Sequence, residues 1–266
     1  MSEGNPVTKP TVGLSMLYRL GEEFDTMVKQ LPEARAFPIE LLDEGRHALD
    51  KKRVKQLREL AASYGLRYTM HAPFAEINIA TPSDWLLKPI TRRLKESLAN
   101  AASLECEMWT FHPGLKTALN SLDPGSEWTA NLKTTRTLVK LARDCGLDVG
   151  VENVPDPFPF LMKRVEDFRR FYSEVDEEVG VVLDVGHANV NGDLEAFLTE
   201  FSDKIAHVHA HDNDGVSDQH LGVGHGTVNW QKFALLLKKA AYDRIVAVES
   251  VENVEESLQR LKQLLG

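Results

Sequence analysis

Short apolar runs alternate along the chain with longer amphipathic segments. Eight apolar runs are rich in β-branched residues and are predicted to form strands, at 11–17, 36–42, 66–72, 107–113, 148–153, 179–187, 205–212 and 244–250. Continuous rather than alternating hydrophobicity is typical of parallel strands that are covered on both faces. The clearest helical periodicity falls between these runs, at 51–64, 85–105, 129–145, 165–175, 230–241 and 254–265.

An eightfold strand–helix alternation within 266 residues is the count of a (β/α)8 TIM barrel. The competing architecture is an open, doubly wound sheet. Such a sheet usually begins with a glycine-rich phosphate turn, and the first βα turn here has none. The pattern therefore predicts an α/β protein, a single-domain TIM barrel over residues 1–266 with a flexible N-terminal tail at residues 1–10.

Composition narrows the class of protein. Hydrophobic residues make up 42% and charged residues 27%, which excludes a disordered chain, a collagen and a coiled-coil rod. The two cysteines are too few for a disulfide framework, and the N-terminus lacks an apolar signal region. No apolar run approaches the ~20 residues that span a bilayer. We therefore expect a cytoplasmic protein with no membrane partner. The net charge of −9 argues against nucleic acid as a partner.

Candidate metal ligands fall at or just after the carboxyl ends of six consecutive predicted strands. In chain order they are His71, His112, Glu152, Asp184, His187, His209, Asp218, His220 and Glu249. In a TIM barrel the carboxyl ends of all strands meet at one mouth, where active sites are found. Small residues below the carboxylates on the same strand face, such as Gly150 and Ala247, leave room inside the barrel.

Taken singly, each of these residues is as easily explained by packing or by a turn. Together they place several carboxylates at one mouth, and no Lys or Arg occurs in the motifs HAPF, FHPG, VEN, LDVGH, HVHAHDN, DQH and VES. Such a cluster needs counter-charge, and a bound divalent metal is the simplest source. His47 and His225 lie outside the pattern and are interpreted as surface residues. Cys106 and Cys145 are interpreted as buried thiols.

The four motifs VEN, LDVGH, HVHAHDN and VES resemble the metal core of the xylose-isomerase-like TIM barrel superfamily, over most of the chain. The resemblance implies one divalent metal, zinc or manganese, bound by Glu152, Asp184, His209 and Glu249. The superfamily includes sugar isomerases, sugar epimerases and endonuclease IV. The choice among these branches decides the function.

Endonuclease IV is similar to this chain in further positions. That family uses three zinc ions, and its additional ligands match His71, His112, His187, Asp218 and His220, so that up to three metals are possible. Three features depart from it. Phe74 replaces a Tyr, the segment after His209 is several residues shorter, and no basic, aromatic-laced insertion is present. The segment HDND followed by DQHLGVGHGTVNW is more similar to the sugar phosphate isomerase/epimerase-like branch.

The sequence therefore predicts a metal-dependent sugar or sugar-phosphate isomerase/epimerase. In this reading Glu152 and Glu249 act as base and acid around an enediolate, and His187 binds a substrate oxygen. The alternative is a zinc-dependent AP endonuclease that hydrolyses phosphodiesters at abasic sites, for which nucleic acid is the partner. A third possibility is a non-catalytic, metal-binding barrel. The identity of the sugar, the metal and the oligomeric state stay open.

Overall fold

A computed structural model describes residues 9–266, so residues 1–8 of the predicted tail lie outside the described range. Eight parallel strands close into one barrel in sequence order, and β8 pairs with β1. This confirms the predicted (β/α)8 TIM barrel. The strands are β1 (Thr11–Ser15), β2 (Ile39–Leu42), β3 (Tyr68–His71), β4 (Trp109–Phe111), β5 (Val149–Glu152), β6 (Gly180–Asp184), β7 (Ile205–Ala210) and β8 (Ile245–Val248).

Nine α-helices surround the barrel within residues 9–266. They are α1 (Phe24–Gln30), α2 (Lys51–Tyr64), α3 (Asp84–Ser103), α4 (Ser126–Asp144), α5 (Val165–Glu174), α6 (Val185–Asn191), α7 (Leu194–Glu200), α8 (Trp230–Lys239) and α9 (Val254–Leu265). No helix in this range is long and apolar enough to cross a membrane.

The predicted strand 179–187 is too long. β6 ends at Asp184, and α6 begins at the next residue. The cause is local, because the Asp184 carboxylate accepts a hydrogen bond of 2.7 Å from the backbone N–H of His187 and so caps the helix. His187 therefore lies in the first turn of a helix, and its ring projects from there toward the mouth.

The strands put their large apolar residues on the outside of the barrel. Trp109, Phe111 and Val151 are almost fully buried in the layer between strands and helices. Gly150, two residues before Glu152 on the inward face, has no room for a side chain, because a Cβ there would lie 2.6 Å from Val182 Cγ2. The narrow interior leaves the carboxylates at the strand ends supported from below.

The loop after β7 is organised by one buried carboxylate. Asp212 Oδ1 accepts hydrogen bonds from the N–H groups of Asn213 and Val228, at 2.9 and 3.0 Å. Asp212 Oδ2 accepts from the N–H of Gly224 and the indole Nε1–H of Trp230, at 2.9 and 2.8 Å. These four bonds close the loop that carries Asp218 and His220 over the mouth.

Two interpretations of single residues are wrong. His47 is 1% exposed and packs edge-on against Phe24, because the segment between β2 and α2 folds inward over α1. Cys145 is exposed, because it follows the last turn of α4 on the outer side of the barrel. His225 is on the surface and Cys106 is buried, as expected.

Candidate metal centre at the barrel mouth

Four of the predicted ligands form a compact set at the centre of the mouth, called here the core set: Glu152, Asp184, His209 and Glu249. They come from β5, β6, β7 and the residue after β8, and all four are buried. The ring atom His209 Nδ1 lies 3.0 Å from Glu152 Oε1, 3.4 Å from Glu249 Oε2 and 4.0 Å from Asp184 Oδ2. One donor atom from each residue lies within 4.8 Å of all the others.

The chemistry of the core set fits a divalent cation. Ligands about 2 Å from one ion lie about 3 to 4 Å from each other, and His209 Nδ1 lies at such distances from its three carboxylate neighbours. Three buried carboxylates meet here, and every ion-pair partner found for them within residues 9–266 is an imidazole. Because buried carboxylates require strong compensation, the site is suited to the positive charge of a metal.

The two glutamates of the core set differ in acidity. Burial acts to raise the pKa of Glu152, but the imidazoles of His209 and His112 outweigh it and hold that pKa well below its usual range. Burial raises the pKa of Glu249 to about 7, which His209 opposes and the Glu152 carboxylate reinforces. The metal-free site therefore holds one ionised glutamate and one that titrates near neutrality.

A second set consists of His71, His112 and Glu152. His71 Nε2 and His112 Nε2 lie 3.2 and 3.1 Å from Glu152 Oε2. His71 Nδ1 is 2.8 Å from the carbonyl oxygen of Ala72 and donates to it, which turns Nε2 toward the mouth. Glu152 Oε1 faces the core set and Oε2 faces this pair. One carboxylate thus joins two donor sets.

A third set lies beside α6. His187 Nε2 and His220 Nε2 are both 3.3 Å from Asp218 Oδ2. Backbone carbonyls orient both rings, since His187 Nδ1 donates to Asn153 at 2.8 Å and His220 Nδ1 donates to Glu249 at 3.0 Å. Burial alone would lower the pKa of each ring, but nearby carboxylates raise the pKa of His187 to about 10 and that of His220 to about 9.

Two further site residues were not identified as ligands from the sequence. His211 Nε2 lies 3.0 Å from Asp184 Oδ1 and 3.6 Å from Asp218 Oδ1, and its ring stacks on His220 with centroids 3.8 Å apart. It shares a strand face with His209, a signal already visible in HVHAH. The second residue, Glu40 on β2, is fully buried below His209. Its signal is a lone carboxylate in the otherwise apolar run IELL.

The structure brings all nine predicted residues to one end of the barrel, in the three sets described. Their roles as metal ligands and catalytic groups stay predictions.

An aromatic wall borders the second set on one side. Phe74 lies 5.1 Å from His71 and 5.4 Å from His112, and Phe160 lies edge-on to His112 at 5.7 Å, between ring centroids.

The fold and this cluster of histidines and carboxylates are typical of one class of protein, and comparison with known proteins places the chain in it. The chain belongs to the xylose isomerase-like TIM barrel family, whose model matches residues 33–264. It is 30% identical to the uncharacterized protein MJ1311 of Methanocaldococcus jannaschii, over 95% of this chain and 88% of that protein.

Two further similarities concern proteins named for sugar epimerisation. The crystal structure of a D-tagatose 3-epimerase-like protein matches with a TM-score of 0.90 and 29% identity, over 96% of this chain and 97% of that chain. The D-psicose 3-epimerase of Ruminiclostridium cellulolyticum is 22% identical, over 74% of this chain and 67% of that protein.

Proposed function

We propose that this protein is a metal-dependent isomerase or epimerase of a small sugar or sugar phosphate. The observation that carries the proposal is the pair Glu152 and Glu249, which belong to strand ends three steps apart and flank one set of donor atoms. Two carboxylates on different sides of a substrate can remove and return a proton at one carbon. The sugar epimerases among the similar proteins support the same reaction class.

Glu152, Asp184, His209 and Glu249 would hold the ion of the core set, zinc or manganese. When bound, a divalent ion supplies Lewis-acid stabilisation of the negative charge that develops on the substrate oxygens of an enediolate. The donor set of one imidazole and three carboxylates suits either metal.

Glu152 and Glu249 each carry out one of the two proton transfers. Glu152, ionised, takes the proton from the carbon next to the carbonyl. Glu249, whose pKa is about 7 before metal binds, returns a proton to that carbon from the other face. The configuration inverts, and the two glutamates have exchanged protonation states. His187 lies at the edge of the core set, with Nδ1 3.6 Å from Glu152 Oε1. Because Nδ1 donates to the Asn153 carbonyl, Nε2–H is the group that donates to a substrate oxygen.

The aromatic wall fits a sugar as well. Phe74 and Phe160 present apolar rings beside His71 and His112, where the C–H face of a sugar can pack while its hydroxyls point to the ligands.

The test of the proposal is proton exchange. Purified protein is loaded with Mn2+ or Zn2+ and incubated with a panel of ketoses and ketose phosphates in deuterated water. NMR should show deuterium entering at the carbon next to the carbonyl, together with an epimer or aldose. Glu152→Gln and Glu249→Gln should each lower the rate at least about 100-fold. The exposed Glu59→Gln is the matched control and should leave it unchanged.

A second candidate function has its own observation. Glu152 joins the first two sets, and the third set adds Asp218 and His220, so three metals can be accommodated as in phosphodiester hydrolysis by endonuclease IV-like enzymes. Metal analysis of His71→Ala and Asp218→Ala distinguishes the isomerase or epimerase from the hydrolase. Loss of one metal per variant, with cleavage of abasic duplex DNA and no sugar exchange, would establish the hydrolase. Neither activity in the metal-loaded protein would favour the non-catalytic barrel.

A further inference from the structure

Glu40 lies inside the barrel, directly below the core set. It is fully buried on β2, and its Oε2 atom is 3.1 Å from His209 Nε2. The other ring nitrogen of His209, Nδ1, faces Glu152 and Glu249. The imidazole of His209 therefore stands between one carboxylate below and the core set above.

The surrounding layer satisfies the Glu40 carboxylate only in part. The ion-pair partners found for Glu40 within the described residues are His207 and His209, and Glu40 Oε1 has no hydrogen-bond donor. The hydroxyl of Thr69, the register partner of Glu40 on β3, is also unpaired. A buried carboxylate with an unused oxygen is a poor contribution to stability, since removing it from water is costly.

His207 does not account for Glu40 either. Its Nε2 lies 3.2 Å from the same Oε2 atom, but outside hydrogen-bond alignment, and both of its ring nitrogens are unpaired. The aligned hydrogen bond of Glu40 goes to His209. The directed contact of Glu40 is therefore with the one imidazole in the core set.

We infer that Glu40 is the positioning residue of His209, an inference that rests on the proposed metal site. A neutral imidazole carries one N–H, and only the form protonated at Nε2 offers a lone pair at Nδ1. Glu40 accepts from Nε2–H, which selects that form and holds the ring in place. The negative charge of Glu40 also makes Nδ1 a better donor to a cation.

The test compares Glu40→Gln with wild type in two measurements. The amide keeps the volume of the side chain but removes its charge. The dissociation constant for Zn2+, measured by competition with a chelator, should rise about 10- to 100-fold. The thermal midpoint of the metal-free variant should stay close to that of the wild type, because the amide fills the same volume and Glu152 and Glu249 still compensate the His209 ring. A residue with a purely structural role would instead lower the midpoint and leave the affinity unchanged.

Thr69→Val is the matched control. It removes a buried polar group at the neighbouring position of the same layer without touching His209, and should leave the zinc affinity at the wild-type value. Glu40→Asp is a second variant in case the amide does not fold. It keeps the charge, but its shorter side chain no longer reaches Nε2, so it should lose affinity as Glu40→Gln does.

NMR of the histidine ring nitrogens tests the protonation state of His209 directly. In zinc-loaded protein labelled with 15N-histidine, His209 should appear protonated at Nε2 and metal-bound at Nδ1. In Glu40→Gln this signal should weaken or broaden as the other form becomes populated. Equal affinities and identical His209 signals in variant and wild type would overturn the inference and leave the proposed function standing. A wild-type protein that binds no divalent metal would overturn both.

Discussion

Asp212→Ala tests how far the mouth depends on the loop after β7. The substitution leaves four N–H donors without their acceptor: those of Asn213, Gly224, Val228 and the Trp230 indole. An unsatisfied buried donor costs about 1–3 kcal/mol. Water can reach the half-buried Gly224, so the four costs do not add in full. We expect the free energy of unfolding to fall by about 3–5 kcal/mol, near the lower end of the sum of four such costs.

The substitution should affect the third set more than the core set. Asp218 and His220 lie on the loop that Asp212 closes, whereas the core set lies on strand ends. Asp212→Ala should therefore retain metal binding by the core set, and should lose any ion that the third set binds in the wild type. Urea unfolding and metal analysis of the same preparations measure both effects.

Asp214→Ala is the control from the same loop. Asp214 is exposed and accepts hydrogen bonds only locally, from the N–H groups of Val216 and Ser217 at 2.9 and 2.8 Å. Its loss should cost less than about 1 kcal/mol. If Asp212→Ala is no more destabilising than Asp214→Ala, Asp212 does not organise the loop.

Three further predictions concern protons, metals and packing. Because Glu249 titrates at about 7 before metal binds, the zinc affinity of the core set should fall as the pH drops through 7, and calorimetry in buffers of different ionisation enthalpy should detect released protons. His187 and His220 titrate at about 10 and 9, so any ion that the third set holds should bind more tightly at pH 9 than at pH 7; a flat profile for such an ion would contradict this. Gly186→Ala places a Cβ 2.0 Å from His211 Cε1 and should destabilise the protein by about 1–3 kcal/mol in urea unfolding. Gly21→Ala, which meets nothing within 4 Å, should not, and equal effects would refute the packing argument.

The linear sequence determined the barrel and the membership of the mouth. Continuous β-branched runs specify parallel strands, and a residue at the end of such a run reaches the mouth whatever the details of packing. That is why Glu152, Asp184 and His209 could be placed from their positions alone. Parity along β7 likewise put His207 below His209, on the same inward face.

Only the tertiary structure decided which residues meet. Glu152 turns one carboxylate oxygen toward the core set and the other toward His71 and His112. This arrangement depends on the register of β3, β4, β5 and β7 around the closed barrel, which no local sequence pattern encodes. The contact of Glu40 with the core set could not be predicted from the sequence, because its hydrogen-bond partner, His209, lies 169 positions away. His47 is buried for a similar reason, since a neighbouring segment covers it. Local periodicity indicates which way a side chain faces. The residues that it contacts depend on how strands and loops distant in the sequence pack around it.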